Sequence, residues 1–223
     1  MLTIEKTVLP SPDQWEIIIE GMRNPMNSWD KMDSFECGYD CCDCSNYWDC
    51  QEHGEKPYII GENDHKLMTQ LAKGGAVHAK YRRMIPVFLT INAPLYWWKE
   101  FDTYKVGTVA NSCSTMHKIQ AKEFTMDDFS YEHLGKFERG VLAYLVDALN
   151  FARDKFLETK EKKWWWHMIQ LLPTSYNQKR TVMLNYEVLV NIYHSRKNHK
   201  LNEWHTFCDW IEELPYSKLI TGE

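Results

Sequence analysis

Arg196, Glu100, Cys113 and His78 are side chains of this 223-residue sequence whose types could polarise, bind or attack a small ligand. Taken alone, each has an ordinary structural reading. His78 reads as a satisfied histidine, Cys113 as a small packing residue, and Arg196 as a charge near a helix end that is solvated or offsets the helix dipole. Their order along the chain gives them more weight. His78 is followed by Ala93-Pro94-Leu95-Tyr96, then Glu100-Phe101-Asp102-Thr103-Tyr104-Lys105, then Asn111 and Cys113; a second segment, NYEVLVNIYHSR, carries Asn185, Asn191 and Arg196. On one continuous helix Asn185 and Arg196 would lie about 20° apart around the axis and share a face, with Asn191 pointing elsewhere. A nucleophilic role for Cys113 would need a depressed thiol pKa, for which Lys105 and His117 are the visible neighbours; inert packing is the simpler reading.

A second cluster offers different chemistry. Cys37, Cys41, Cys42, Cys44 and Cys50 crowd into one acidic stretch with His53 just beyond. Four thiolates or imidazoles can hold a tetrahedral zinc ion, and Cys37, Cys41, Cys44 and Cys50 are the candidate ligands. The spacing is not a standard pair of C-x2-C knuckles, so free thiols in a surface loop are an equal alternative, and a disulfide suits a reducing compartment least.

The elements that must position these residues can be read from patterning. Residues 2–9 alternate apolar and polar as a strand does. Ser11-Pro12-Asp13-Gln14 has the form of a helix start with Ser11 as N-cap, Pro12 in the first turn and Gln14 closing a capping box, the helix ending near Arg23. Residues 24–62 form a polar irregular stretch too long for a simple connection, with the Cys-rich insertion at about 30–58. Asn63 is placed as the cap of a helix through Lys73, stopped by Gly74-Gly75. Residues 84–92 read as a strand whose Pro86 demands an edge position or an irregular start. Residues 94–104 read as helical, 106–109 as short extended chain, and 131–160, 162–171, 178–197 and 200–213 as helices. The pattern predicts one α/β (α+β) domain over 1–223, with a mixed sheet flanked by helices and a helical C-terminal half. Of Trp97-Trp98 and Trp164-Trp165-Trp166, one or two are expected in the core and another at an interface.

Composition narrows the function. Hydrophobic residues make up 44% and the net charge is −5, which favours neither nucleic acid polymers nor anionic membranes as partners. No signal-like leader or membrane-length apolar run is visible, so a cytoplasmic location is the default expectation. Glycine-rich phosphate loop, nucleophile elbow, H-E-x-x-H and Rossmann fingerprints are all missing.

The ordered residues resemble the flavin-dependent thymidylate synthase (ThyX) family over roughly residues 65–213. That family has a histidine opening a strand, a turn often containing Ala-Pro, and Gln-x-x-Arg-His-Arg-x7-Ser; here these fall on His78, Ala93-Pro94, Glu100 through Lys105, and Cys113. Leu172-Pro173 and the helix Asn185, Asn191, Arg196 are similar to the family's Leu-Pro and its Asn-x-Arg-x3-Asn-x4-Arg, and Leu201-Asn202-Glu203-Trp204 to the helix that follows. The resemblance implies a homotetramer that binds FAD and methylates dUMP, with methylenetetrahydrofolate and NADPH as co-substrates. It implies Arg196 as the catalytic cation and His78, Lys105, Asn185 and Asn191 as flavin contacts. Glu100, Asn111, Cys113 and Arg196 would be contacts to a dUMP-like pyrimidine nucleotide.

The chain departs from the family where charge matters. Arg-His-Arg is Thr103-Tyr104-Lys105, the phosphate-binding serine is Cys113, the arginine beside it is Thr115, the middle arginine of the helix is Glu187, and the arginine before Leu-Pro is Ile169. A charge-assisted phosphate contact contributes about 1.5–3 kcal/mol, so losing two could abolish nucleotide binding unless Arg82, Arg83, Lys179 or Arg180 compensates. The alternatives are therefore a flavoenzyme for another pyrimidine nucleotide and a non-catalytic flavin- or nucleotide-binding homologue with a structural or interaction role.

Overall fold

The structure, a computed structural model, describes residues 2–37 and 58–222. Strand β1 (Thr3–Val8) leads into helix α1 (Pro12–Arg23), which opens on the expected capping box: Ser11 Oγ accepts from the Gln14 amide, and the Gln14 side chain accepts from the Ser11 amide. Strands β2 (Phe35–Glu36) and β3 (Tyr58–Ile59) form a short antiparallel ribbon. Helix α2 (Glu62–Lys73) begins one residue before Asn63, with Gly61 as its N-cap. Its first amides are satisfied from a distance: Asp33 accepts from Asn63 N at 2.9 Å and from Asp64 N at 3.0 Å. A Cβ on Gly61 would stand 2.3 Å from the Asp33 side chain, so the cap position is glycine because the capping carboxylate occupies that space.

Behind this cap, Asp64 is fully buried and pairs with Arg23 at 2.5 Å, while its other oxygen accepts from the Asp33 and Ser34 amides and the Ser34 hydroxyl. Burial alone would raise the Asp64 pKa. The Ser34 hydroxyl, the Asp33 amide and Arg23 outweigh it and hold the carboxyl below its ordinary value of 3.8.

A 3-10 turn, Lys80–Met84, delivers the chain to strand β4 (Pro86–Pro94). Pro86 stands at the first position, where its missing N–H interrupts little of the ladder, and so a central strand tolerates it. Helix α3 (Leu95–Phe101) follows, then strand β5 (Val109–Ser112), shifted three residues along the chain from the extended segment expected at 106–109. Helices α4 (Lys136–Thr159) and α5 (Lys162–Leu171) pack together.

The helix expected over 178–197 is two elements: strand β6 (Asn177–Asn185) and helix α6 (Tyr186–Arg196). The strand escapes the apolar pattern because two of its core-side positions are polar. Gln178 is buried and donates to the Cys113 carbonyl, and Arg180 stacks 4.2 Å over the Trp98 ring. Asn185 is thus a cap, its side-chain oxygen accepting from Val188 N, rather than a helical residue on the Arg196 face. Helices α7 (Asn202–Glu212) and α8 (Lys218–Thr221) complete the chain.

The α/β class is as expected, but the four-stranded sheet, ordered β1-β4-β6-β5, has only antiparallel pairings. Val87, Leu89, Ile91 and Ala93 of β4, with Val182 and Leu184 of β6, point into a core shared with Ile19, Trp97, Trp98, Phe101, Leu189, Ile192, Trp204 and Phe207. Both Trp97 and Trp98 are buried there. On the opposite face Phe88, Lys179 and Thr181 are exposed. A second cluster joins Ile119, Phe124 and Phe129 to Leu142, Val146, Leu149 and Ala152 of α4 and Met168 of α5.

Candidate functional site

Helix α6 carries the centre of the site. Its start is fixed by the Asn185 cap, and its last turn brings Arg196 beside helix α3 and the segment that follows it. Arg196 Nη1 donates to Glu100 Oε2 at 2.8 Å, and Arg196 Nε donates to the Tyr104 hydroxyl at 2.9 Å. The guanidinium carbon stands 4.8 Å from the Trp204 ring centroid and 5.7 Å from that of Tyr104. Trp204 Nε1 also donates to Glu100 Oε2 at 2.9 Å, and His199 Nε2 lies 3.4 Å from the same oxygen. Two of the three guanidinium nitrogens are therefore tied down, the plane rests on an indole, and the pair still reaches solvent, with 18% of the Arg196 side chain and 32% of Glu100 exposed. A guanidinium fixed in this way is preorganised to donate to a ligand carbonyl, because ligand binding need not order it.

The segment after α3 runs beside α6. Tyr104 meets its C-terminal end, and three residues later Gly107, at φ +81°, passes its N-terminal end. A Cβ on Gly107 would lie 3.0 Å from the Asn185 amide nitrogen and 3.1 Å from Val188, so this passage combines a left-handed backbone with close approach. Glu100 and Tyr104 thus meet Arg196 at the C-terminal end of α6, while Asn185 borders Gly107 at its N-terminal end.

Other candidates stand apart from this cluster. Asn111 lies on edge strand β5 opposite Thr181, and Cys113 follows it, its amide donating to Lys179 O at 2.9 Å. The Cys113 thiol is exposed rather than packed, which corrects the reading of an inert buried residue. Cys208 is buried instead: burial, with Asp209 and Glu212 adding to it, pushes its thiol up to about 11. The side chains of His78, Lys105 and Asn191 are exposed and form no hydrogen bond or ion pair with another described residue. Cys37 is buried, whereas Cys41, Cys44 and Cys50 lie outside the described residues. Among the described residues no group of three or more His, Cys, Asp or Glu side chains could hold a metal ion.

Three of the four basic residues named as substitutes for lost phosphate contacts already have carboxylate partners. Arg82 lies 3.9 Å from Glu187, Arg180 donates to Asp102 at 2.7 Å, and Lys179 pairs with Glu5 at 2.6 Å. Arg83 is the fourth, and it donates to the Ala76 carbonyl at 3.3 Å. The reversal of charge at Glu187 is thus matched by Arg82, both largely buried.

Tyr104, Trp204 and His199 were not named as site residues by sequence reasoning. Tyr104 stands where the family motif has histidine, which is a usable signal. Trp204 and His199 come from beyond the end of α6, and only the tertiary fold returns them to Glu100.

Among the described residues no helix is long and apolar enough to cross a membrane. No protein-family model matches the sequence, and no curated protein matches it. Solved structures do. Thymidylate synthase X (ThyX) from Helicobacter pylori with FAD and dUMP superposes with a TM-score of 0.63 at 16% identity, covering 99% of this chain and 97% of that one. A second structure, the flavin-dependent thymidylate synthase ThyX from Helicobacter pylori complexed with FAD and dUMP, gives 0.61 at 15% identity, covering 99% and 98%. The chain has the fold of these proteins along nearly its whole length.

Proposed function

We propose that this chain is a divergent flavin-dependent thymidylate synthase, methylating the uracil ring of dUMP with methylenetetrahydrofolate as carbon donor and NADPH as reductant. The observation that carries this reading is the anchoring of Arg196. A guanidinium held by Glu100 and Tyr104 over Trp204 stays available to polarise a pyrimidine base, stabilising negative charge on the ring, and so raise nucleophilicity at C5. His78, Lys105 and Asn191 present unpaired donors to solvent, which suits a polyanionic cofactor such as FAD held between copies of the chain; Asn185 borders the same segment. Reduced FAD would supply the hydride. Asn111 and the exposed Cys113 are the proposed contacts to the nucleotide's far side.

Assembly as a homotetramer is part of the proposal. Helix α4 has a second apolar face: Phe137, Val141, Tyr144 and Phe151 are 79%, 56%, 76% and 57% exposed and recur at helical spacing opposite its buried stripe. Such a face fits the same helix of a second copy.

A second reading has its own support. Glu100 puts a carboxylate on Arg196, and Arg82, Arg180 and Lys179 are paired internally, which reduces the positive field available to a phosphate. That arrangement favours another pyrimidine ligand or a binding role without turnover. Expression of the chain in a thymidine-auxotrophic cell separates the readings. Growth without thymidine that is lost in Arg196→Ala supports dTMP synthesis; no growth from a well-expressed, flavin-loaded protein removes it.

A further inference from the structure

The Glu100 carboxylate is used unevenly. Oε2 takes all the described contacts: Arg196 Nη1 at 2.8 Å, Trp204 Nε1 at 2.9 Å and His199 Nε2 at 3.4 Å. Oε1 has no hydrogen-bond partner among the described residues. Arg196 shows the same asymmetry, with Nε and Nη1 engaged and Nη2 without a described partner. Neither Oε1 nor Nη2 is among the buried polar atoms left unsatisfied, and both side chains retain exposure. The ion pair thus offers one acceptor and one donor, fixed relative to each other by the bond between the two groups.

We propose that Glu100 is a specificity residue of this site, its free Oε1 accepting the N3–H of a neutral uracil ring while Arg196 Nη2 donates to the adjoining ring carbonyl. This rests on the reading of Arg196 as the contact to the base and adds the second half of the recognition. The uracil edge runs carbonyl, N–H, carbonyl, so a donor and an acceptor carried by one ion pair can match one carbonyl and the neighbouring N–H. Cytosine presents a lone pair at N3. Facing Oε1, that lone pair would meet a carboxylate lone pair, and the acceptor on the protein would lose its solvent partner without gaining another. A methyl group on N3 removes the donor and occupies its space.

Calorimetric titration of the purified full chain with dUMP, dCMP and 3-methyl-dUMP tests this directly. The expected result is binding of dUMP at least about tenfold tighter than of either analogue. Glu100→Gln keeps the shape of the side chain but brings an amide that can donate to cytosine N3, so it is expected to bring the dUMP/dCMP ratio close to one. Glu100→Ala is expected to lose discrimination against 3-methyl-dUMP. A Glu100 that only supports the fold would weaken all three ligands together and leave the ratios unchanged. Equal binding of dUMP and dCMP by the unmodified chain, or an unaltered ratio in Glu100→Gln, overturns the assignment while leaving the pyrimidine reading standing. Binding of none of the three overturns both.

Discussion

Arg196 and Glu100, 96 residues apart in the chain, are joined by a 2.8 Å contact between Nη1 and Oε2, and this contact fixes the guanidinium at the end of α6. The bond has two opposing consequences. It orients the arginine before any ligand binds, and it places a negative charge beside the cation that we propose polarises the ligand. Orientation prevails if the free nitrogen faces the ligand, because directed hydrogen bonds carry more discrimination than net charge in a partly exposed site.

Arg196→Lys keeps the charge but loses the planar fork and the fit to Trp204. Flavin content is expected to stay unchanged, while dUMP-dependent turnover falls at least about tenfold. Absorbance of the bound flavin and a turnover assay on the same preparation check both halves.

Tyr104→Phe removes the acceptor of Arg196 Nε and leaves the ring beside Trp204. The arginine keeps its Glu100 contact, so the expected loss of turnover is modest, from a few-fold to about tenfold. Steady-state kinetics should show it without a change in melting temperature.

Stability should depend on Asp64. Its folded pKa is depressed, so the stabilisation is complete above the ordinary carboxylate value and is lost as pH falls through the folded one. Asp64→Asn is expected to cost on the order of 3 kcal/mol at neutral pH, because Arg23 is left buried without its charge partner. The deficit should start to shrink as pH falls below 3.8, where the carboxyl of the unfolded chain protonates ahead of the folded one, and close further as the folded carboxyl follows. Urea unfolding of both proteins at neutral and acid pH measures it.

Val141→Asp places a charge on the exposed face of α4, where the side chain is 56% exposed and contributes nothing to the chain's own core. Light scattering should show a smaller assembly, with secondary structure by circular dichroism preserved. An unchanged mass would remove this face from the assembly.

Much of the architecture was legible from local chemistry. The capping box at Ser11 and Gln14 fixes the start of α1, and the predicted helix 162–171 matches α5 residue for residue. Non-local partners defeated the pattern elsewhere. Asp33 caps α2 from 30 residues away, so Asn63 is not the cap that its local pattern suggests. Strand β6 reads as helix in the sequence because Gln178 and Arg180 use tertiary partners, Cys113 O and Asp102, to satisfy polar groups on its core side. The site divides in the same way. Glu100 and Arg196, singled out by the family resemblance, meet in the structure, while Trp204 and His199 join them only because the chain beyond α6 turns back towards Glu100.

Anaerobic oxidation of reduced flavin on this protein, followed by the return of visible absorbance with methylenetetrahydrofolate present and dUMP added or withheld, tests the central claim most directly. The account predicts oxidation that requires dUMP, produces dTMP and disappears in Arg196→Ala. Oxidation at the same rate without dUMP, or no dTMP from a flavin-loaded protein, would contradict it.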